Sequence, residues 1–164
     1  MCWLGNLQES KGKVASEDVF VYKVLRMHDS ELYSPYKNMA YKLGTSYMIY
    51  PNVIEPIKVA TASDITHRID YGLHCYSEEC MASKTAFGNL YIDRPNGNYL
   101  TTYAAGATSA LALIKCKIPK GAKYYENSSG EIVTEKLETL YRVSVPFYDG
   151  LHCKGLKKMD LKKF

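Results

Sequence analysis

Leu111-Ala112-Leu113-Ile114-Lys115-Cys116-Lys117-Ile118-Pro119-Lys120-Gly121 is the stretch on which the fold turns. Leu111, Leu113, Lys115 and Lys117 fall on one face of an extended chain, and Ala112, Ile114, Cys116 and Ile118 fall on the other. A period of two residues with β-branched side chains predicts a strand. Pro119-Lys120-Gly121 ends it, because proline cannot continue a ladder and glycine turns freely. Upstream, Ala104 to Ala112 is alanine-rich and is expected to be helical.

Working outward, Val19-Phe20-Val21-Tyr22-Lys23-Val24-Leu25 reads as a second strand. Tyr41 to Tyr50 is a further extended stretch interrupted by Gly44, and Pro51 and Pro56 bracket another short strand. A strand is expected at the end of Ile65 to Tyr76. Glu78 to Ala86 is the best short helix, with Ser77 placed to cap it and two glutamates in its first turn. Asn96-Gly97 between extended segments is a hairpin signal. Glu131-Ile132-Val133-Thr134 and Leu137 to Val145 complete the strands, and the last eleven residues suit a short basic amphipathic helix. The expected architecture is a single α+β domain over residues 1–153, with a twisted, mostly antiparallel sheet, a few short helices and a basic tail at 154–164.

Composition bounds the function. The chain has 164 residues, 46% hydrophobic and 23% charged, as a globular domain does. The apolar run around Ala110 to Ile114 is far too short for a membrane-spanning helix, which needs about 20 residues. The first residues lack the basic start and apolar core of a secretion signal, so a soluble cytoplasmic protein is expected. The net charge of +4 resides in the tail, whose five lysines face one aspartate. A basic tail binds phosphates in some proteins, but a solvated end is the plainer reading, and nucleic acid is not an expected partner.

The five cysteines, Cys2, Cys75, Cys80, Cys116 and Cys153, form no Cys-x-x-Cys pair and are expected as reduced thiols. Gly-Leu-His-Cys occurs twice, at Gly72–Cys75 and Gly150–Cys153. Two histidines and two cysteines suit zinc chemically, yet neighbours on a strand point to opposite faces, so no metal is expected. Fifteen tyrosines against one tryptophan favour sheet faces and ligand stacking. Tyr36, Tyr41 and Tyr47 are the candidate stacking rings, with Lys23 as the cation for a phosphate.

Removal of Met1 would leave Cys2 with its thiol and α-amine together, the arrangement of N-terminal nucleophiles. This start resembles that of the glutamine amidotransferases, and the resemblance implies Cys2 as a nucleophile.

The order of Gly72-Leu73-His74-Cys75-Tyr76, then Ala82-Ser83-Lys84-Thr85-Ala86, then Gly130-Glu131-Ile132-Val133-Thr134 resembles the ADP-ribosyltransferases. That resemblance implies NAD as substrate. Arg26 or Lys23 would hold it, with Tyr76 or His74 beside it. Glu131 would stabilise the cationic ribose as nicotinamide leaves.

A broader resemblance is carried by Met1-Cys2-Trp3, Val21-Tyr22-Lys23-Val24, Ser34-Pro35-Tyr36, Tyr41-Lys42-Leu43-Gly44, Gly72-Leu73-His74 and the Cys116–Tyr125 stretch with Gly130-Glu131-Ile132-Val133. These segments look like an uncharacterised group of small proteins from gut Bacteroidetes and their phages. The resemblance implies an accessory protein acting in the host cytoplasm. The leading expectation is a binding module without catalysis or cofactor, for a host protein or a nucleotide-like small molecule. An ADP-ribosyltransferase-like enzyme is the alternative, and a Cys2 thiol enzyme is third.

Overall fold

The computed structural model describes residues 3–28, 31–34, 39–50, 53–60, 64–78, 90–93, 98–102 and 108–143, of which 26–28, 90–93, 98–102 and 108–111 are described by backbone alone. The strands are β1 (Trp3–Gly5), β2 (Lys13–Val14), β3 (Val19–His28), β4 (Glu31–Tyr33), β5 (Ala40–Tyr41), β6 (Ser46–Met48), β7 (Ile57–Ala60) and β8 (Ile65–Ile69). They continue with β9 (Leu73–Tyr76), β10 (Leu90–Asp93), β11 (Asn98–Thr102), β12 (Thr108–Ile118), β13 (Lys123–Glu126), β14 (Glu131–Thr134) and β15 (Lys136–Arg142). Glu9–Lys11 makes a single 3-10 turn.

The expectation of an α+β domain is therefore corrected to a sheet-rich fold: the described residues hold fifteen strands and no α-helix. Thr108–Ala112, the described part of the alanine-rich stretch, is strand. Alanine's helical preference is weak against pairing on two edges, where Ala110 lies opposite both Leu100 and Met27. Residues 79–86 of the expected helix and the whole C-terminal segment lie outside the described residues. The Tyr41 to Tyr50 stretch is two strands separated by a turn, because Gly44 takes φ +67°. Residues 53–56 are not strand; the strand lies one step later, in β7.

Every strand pairing among the described residues is antiparallel. One path runs β10-β11-β12-β3-β9-β14-β13-β2, and β15 joins β12 beyond the end of β11. Asp93 lies opposite Asn98, so β10 and β11 flank the Asn96-Gly97 position as a hairpin would. Between β14 and β15 stands only Glu135, whose N–H donates to the Lys123 carbonyl at 3.3 Å. The Glu131–Arg142 segment thus meets β9 with its first half and β12 with its second. Strands β12, β3, β9 and this bent segment close a circuit, and the sheet curls back on itself as a barrel wall does.

The inner face carries Val21, Lys23 and Leu25 from β3, Ala112, Ile114, Cys116 and Ile118 from β12, Leu73 and Cys75 from β9, and Ile132, Leu137 and Thr139 from β14 and β15. Each large aliphatic buried here contributes about 1.5–3 kcal/mol relative to exposure. A second, three-stranded sheet, β1-β8-β7, packs Trp3 and Ile69 near the outer side of β14. The Trp3 indole N–H donates to the Glu131 carbonyl at 3.1 Å, and its ring meets Tyr125 edge-on at 6.1 Å. The approach needs a glycine at position 72: a Cβ there would stand 2.4 Å from Cγ2 of Val133. Among the described residues no helix is long and apolar enough to cross a membrane.

Candidate functional site

Strand alternation sorts the candidate residues onto two faces. Lys23, Tyr41 and Tyr47 are brought together on the inside. Glu131, Tyr76 and His74 share the outside, because Glu131 lies directly opposite Tyr76 and His74 is two residues along the same strand. Arg26 is placed in β3 with Leu111 on one side and Tyr33 on the other. Cys2, Tyr36 and the second Gly-Leu-His-Cys segment lie outside the described residues. No group of three or more metal-binding side chains occurs among the described residues.

The inner site is built around Lys23, only 6% exposed. β3 puts a lysine where its neighbours Val21 and Leu25 are fully buried, so the ammonium is withdrawn from water. Its amine donates to the His74 carbonyl at 2.5 Å and lies 5.2 Å from the centre of the Tyr41 ring. Tyr41 packs against Tyr47 with ring centres 4.8 Å apart. Burial drives the amine well below the usual lysine range, opposed by the nearby Cys75 and Cys116 thiols. Burial likewise pushes the Tyr41 phenol and the Cys75 thiol up, and takes Cys116 to about 12. At neutral pH the thiols and the phenol are uncharged, and they are poor nucleophiles in that state.

Thr139 ties down the chain above this cluster. Its hydroxyl donates to the Lys42 carbonyl at 2.5 Å and accepts from the Thr45 N–H at 3.2 Å. Its carbonyl accepts from the Gly44 N–H at 2.8 Å, and its N–H donates to the Thr45 carbonyl at 3.0 Å. The Lys42 N–H donates in turn to the Tyr47 hydroxyl at 2.7 Å.

On the outer face the registers align one transverse row. Tyr141 of β15 lies opposite Lys115 of β12, Lys115 opposite Tyr22 of β3, Tyr22 opposite Tyr76 of β9, and Tyr76 opposite Glu131 of β14. At about 4.8 Å per strand the row spans roughly 19 Å. Its β14 end is closed: Tyr76 is 3% exposed, and Asn127 reaches the Glu131 carboxylate at 3.5 Å. Its β15 end is open, with Tyr141 and the neighbouring Phe20 each 53% exposed. The Lys115 amine sits 5.1 Å from the centre of the Phe20 ring. Beside them Lys117 bonds Glu138 at 3.3 Å and Asp18 at 3.6 Å, so this rim carries both charges.

Tyr22, Phe20, Lys115, Tyr141 and Thr139 are absent from the candidates that sequence reasoning selects. A weak signal existed for Lys115, which shares a face with Lys117 in the opening stretch. None existed for Thr139, whose role depends on a turn 94 or more residues away.

A shallow cleft of about 440 Å³ opens beside the Asn127–Gly130 turn, lined by Gln8, Glu9, Gly12, Lys13, Glu126, Asn127 and Ser128. No aromatic ring lines it. Comparison of the chain with protein-family models, curated proteins and solved structures finds no match.

Proposed function

We propose that this chain is a binding module without catalysis, and that it engages a host protein through the open end of the outer row, formed by Phe20, Lys115 and Tyr141. The resemblance to small Bacteroidetes and phage proteins supports an accessory role in the host cytoplasm. The observation that carries the reading is the pair of half-exposed rings flanking a lysine across β3, β12 and β15. Protein interfaces concentrate their energy in a few aromatic and basic anchors surrounded by a polar rim. Lys117, Glu138 and Asp18 supply such a rim. A nucleotide-like ligand is less well served. Small-molecule sites are concave and bury most of the ligand. The cleft beside Asn127 offers no ring for a base, and two glutamates there oppose a phosphate.

The NAD-cleaving alternative draws support from one observation, the adjacency of Tyr76 and Glu131. Burial counts against it, since a nicotinamide ribose has to reach a ring that is 3% exposed.

Affinity capture from host lysate tests the reading, comparing the wild type with a Phe20→Ala/Tyr141→Ala variant of unchanged circular dichroism. A protein retained by the wild type and lost at least tenfold from the variant is expected, the loss of two anchors at about 1–2 kcal/mol each. Equal retention by both proteins refutes this face as the contact. Nicotinamide release from NAD that is abolished by Glu131→Gln would replace the binding reading with the enzymatic one.

A further inference from the structure

The binding reading leaves the inner cluster without a task. A lysine in the middle of a core strand is costly to bury, and a leucine or methionine would fill the same space. Among the described residues the Lys23 amine has one hydrogen-bond partner, the His74 carbonyl, and no carboxylate to hold it charged. The groups facing it are the Tyr41 ring from β5, the Cys75 thiol from β9 and the Cys116 thiol from β12. An amine in such surroundings keeps its lone pair, which is the property that activates lysine as a nucleophile toward carbonyl groups.

The cover over this amine is held by short strands. Residues 39–50 carry Tyr41 and Tyr47 on two strands of two and three residues. Among the described residues β5 pairs only with β4, and β6 only with β15. Short edge strands open locally at far less cost than the core. Thr139 supplies most of the bonds across the turn between them. Met39, Leu43 and Met48 on this segment are exposed, and Tyr41 and Ile49 are the residues that anchor it to the core.

We propose that Lys23 is a carbonyl-reactive lysine beneath a tyrosine flap, and that it condenses with a small neutral aldehyde to form a Schiff base. The amine lone pair adds to the carbonyl carbon, forming the C–N bond as the C=O π pair moves to oxygen. A proton passes from nitrogen to that oxygen. The carbinolamine then loses its hydroxyl together with the remaining N–H proton as water, leaving C=N. One amine and one aldehyde give one imine and one water, with no oxidant or further reactant. The substrate is neutral because, among the described residues, the groups facing the amine are a ring and two thiols, with no cation to balance an acid or a phosphate. Its body is apolar and small, to lie against the Tyr41 ring beside the amine once the flap opens.

The test uses the intact protein, benzaldehyde as probe, and cyanoborohydride to reduce any imine to a stable benzylamine, followed by peptide mapping. At about pH 6.5 ordinary lysines, with values near 10.5, are protonated by roughly 10⁴ to one and react slowly. Lys23 is expected to be benzylated about tenfold or more faster than surface lysines. Thr139→Val, which loosens the flap, is expected to speed labelling at Lys23 several-fold and leave the surface lysines unchanged. Benzylation of surface lysines with Lys23 unmodified, in both proteins, overturns the proposal. So does labelling of Lys23 that appears only in denaturing urea, because the amine is then reached by unfolding and not through the flap.

Discussion

Replacement of Lys23 by methionine exposes the energetics of the inner site through pH. At a single pH the outcome is a near balance. Replacing buried ion pairs by apolar side chains of similar volume is neutral or stabilising by about 1–4 kcal/mol, and removing a lone buried amine acts in the same direction. Leaving the His74 carbonyl without its donor costs about 1–3 kcal/mol. The carbonyl penalty does not titrate, so it drops out of the pH dependence. The unfolded lysine takes its proton below about 10.5, whereas the folded amine takes it only at the lower value that burial imposes. Between those two values the unfolded chain binds more protons. Stability therefore rises with pH there, by up to about 1.4 kcal/mol per unit, and is lost as pH falls toward the folded value.

The thiols act with the opposite sign. Cys75 and Cys116 ionise near 9.0 when unfolded and later when folded, so each lowers stability by up to about 1.4 kcal/mol per unit above pH 9. Two thiols outweigh one amine, and the wild type is expected to be most stable near or below about pH 9. Both thiols are present in Lys23→Met and cancel in the difference between the two proteins. Urea unfolding in reducing buffer, followed by the fluorescence of the single, fully buried Trp3, gives that difference across the alkaline range. The wild type should gain on the variant steadily as pH rises to about 10.5 and not beyond. A difference that stays constant would mean that folded Lys23 keeps its proton as an exposed lysine does, and would refute the reading of the site.

Thr139→Val leaves the Lys42 carbonyl and the Thr45 N–H without their side-chain partner, and should cost about 1–3 kcal/mol. Hydrogen exchange should accelerate first at residues 42–45. Phe20→Ala and Tyr141→Ala each remove a half-exposed ring and should change stability by less than about 1 kcal/mol, read as a small shift of Tm, even as they weaken partner capture. Gly72→Ala meets both a φ of +150° and Cγ2 of Val133 at 2.4 Å, and should destabilise by more than about 1 kcal/mol in urea titration. Trp3→Phe removes the donor to the Glu131 carbonyl, and a loss of about 1–3 kcal/mol is expected by far-ultraviolet circular dichroism during thermal melting.

What was legible in the chain was local, and what was not depended on register. The alternation over Leu111 to Ile118 announces a strand because one face meets a core and the other does not, and β12 is there. The same logic finds β3, whose apolar run is long enough to be unambiguous. Alanine-rich sequence just upstream misleads because small side chains carry no period, and the ladder with β11 and β3 then decides what propensity cannot. Lys23 could be singled out as a cation within an apolar strand. Its burial could not, because that depends on Cys75 and Tyr41 arriving from 52 and 18 residues away. The outer row is the extreme case. Tyr22, Tyr76, Lys115, Glu131 and Tyr141 have no mutual spacing in the chain, and a slip of one residue in any of four pairings would scatter them to opposite faces. A set of that kind is defined by the sheet alone. Its two ends differ for the same reason: the β14 end lies beside the small β1-β8-β7 sheet, and the β15 end keeps its rings half in water. Burial, not residue type, thus makes Tyr141 a candidate contact and Tyr76 part of the interior.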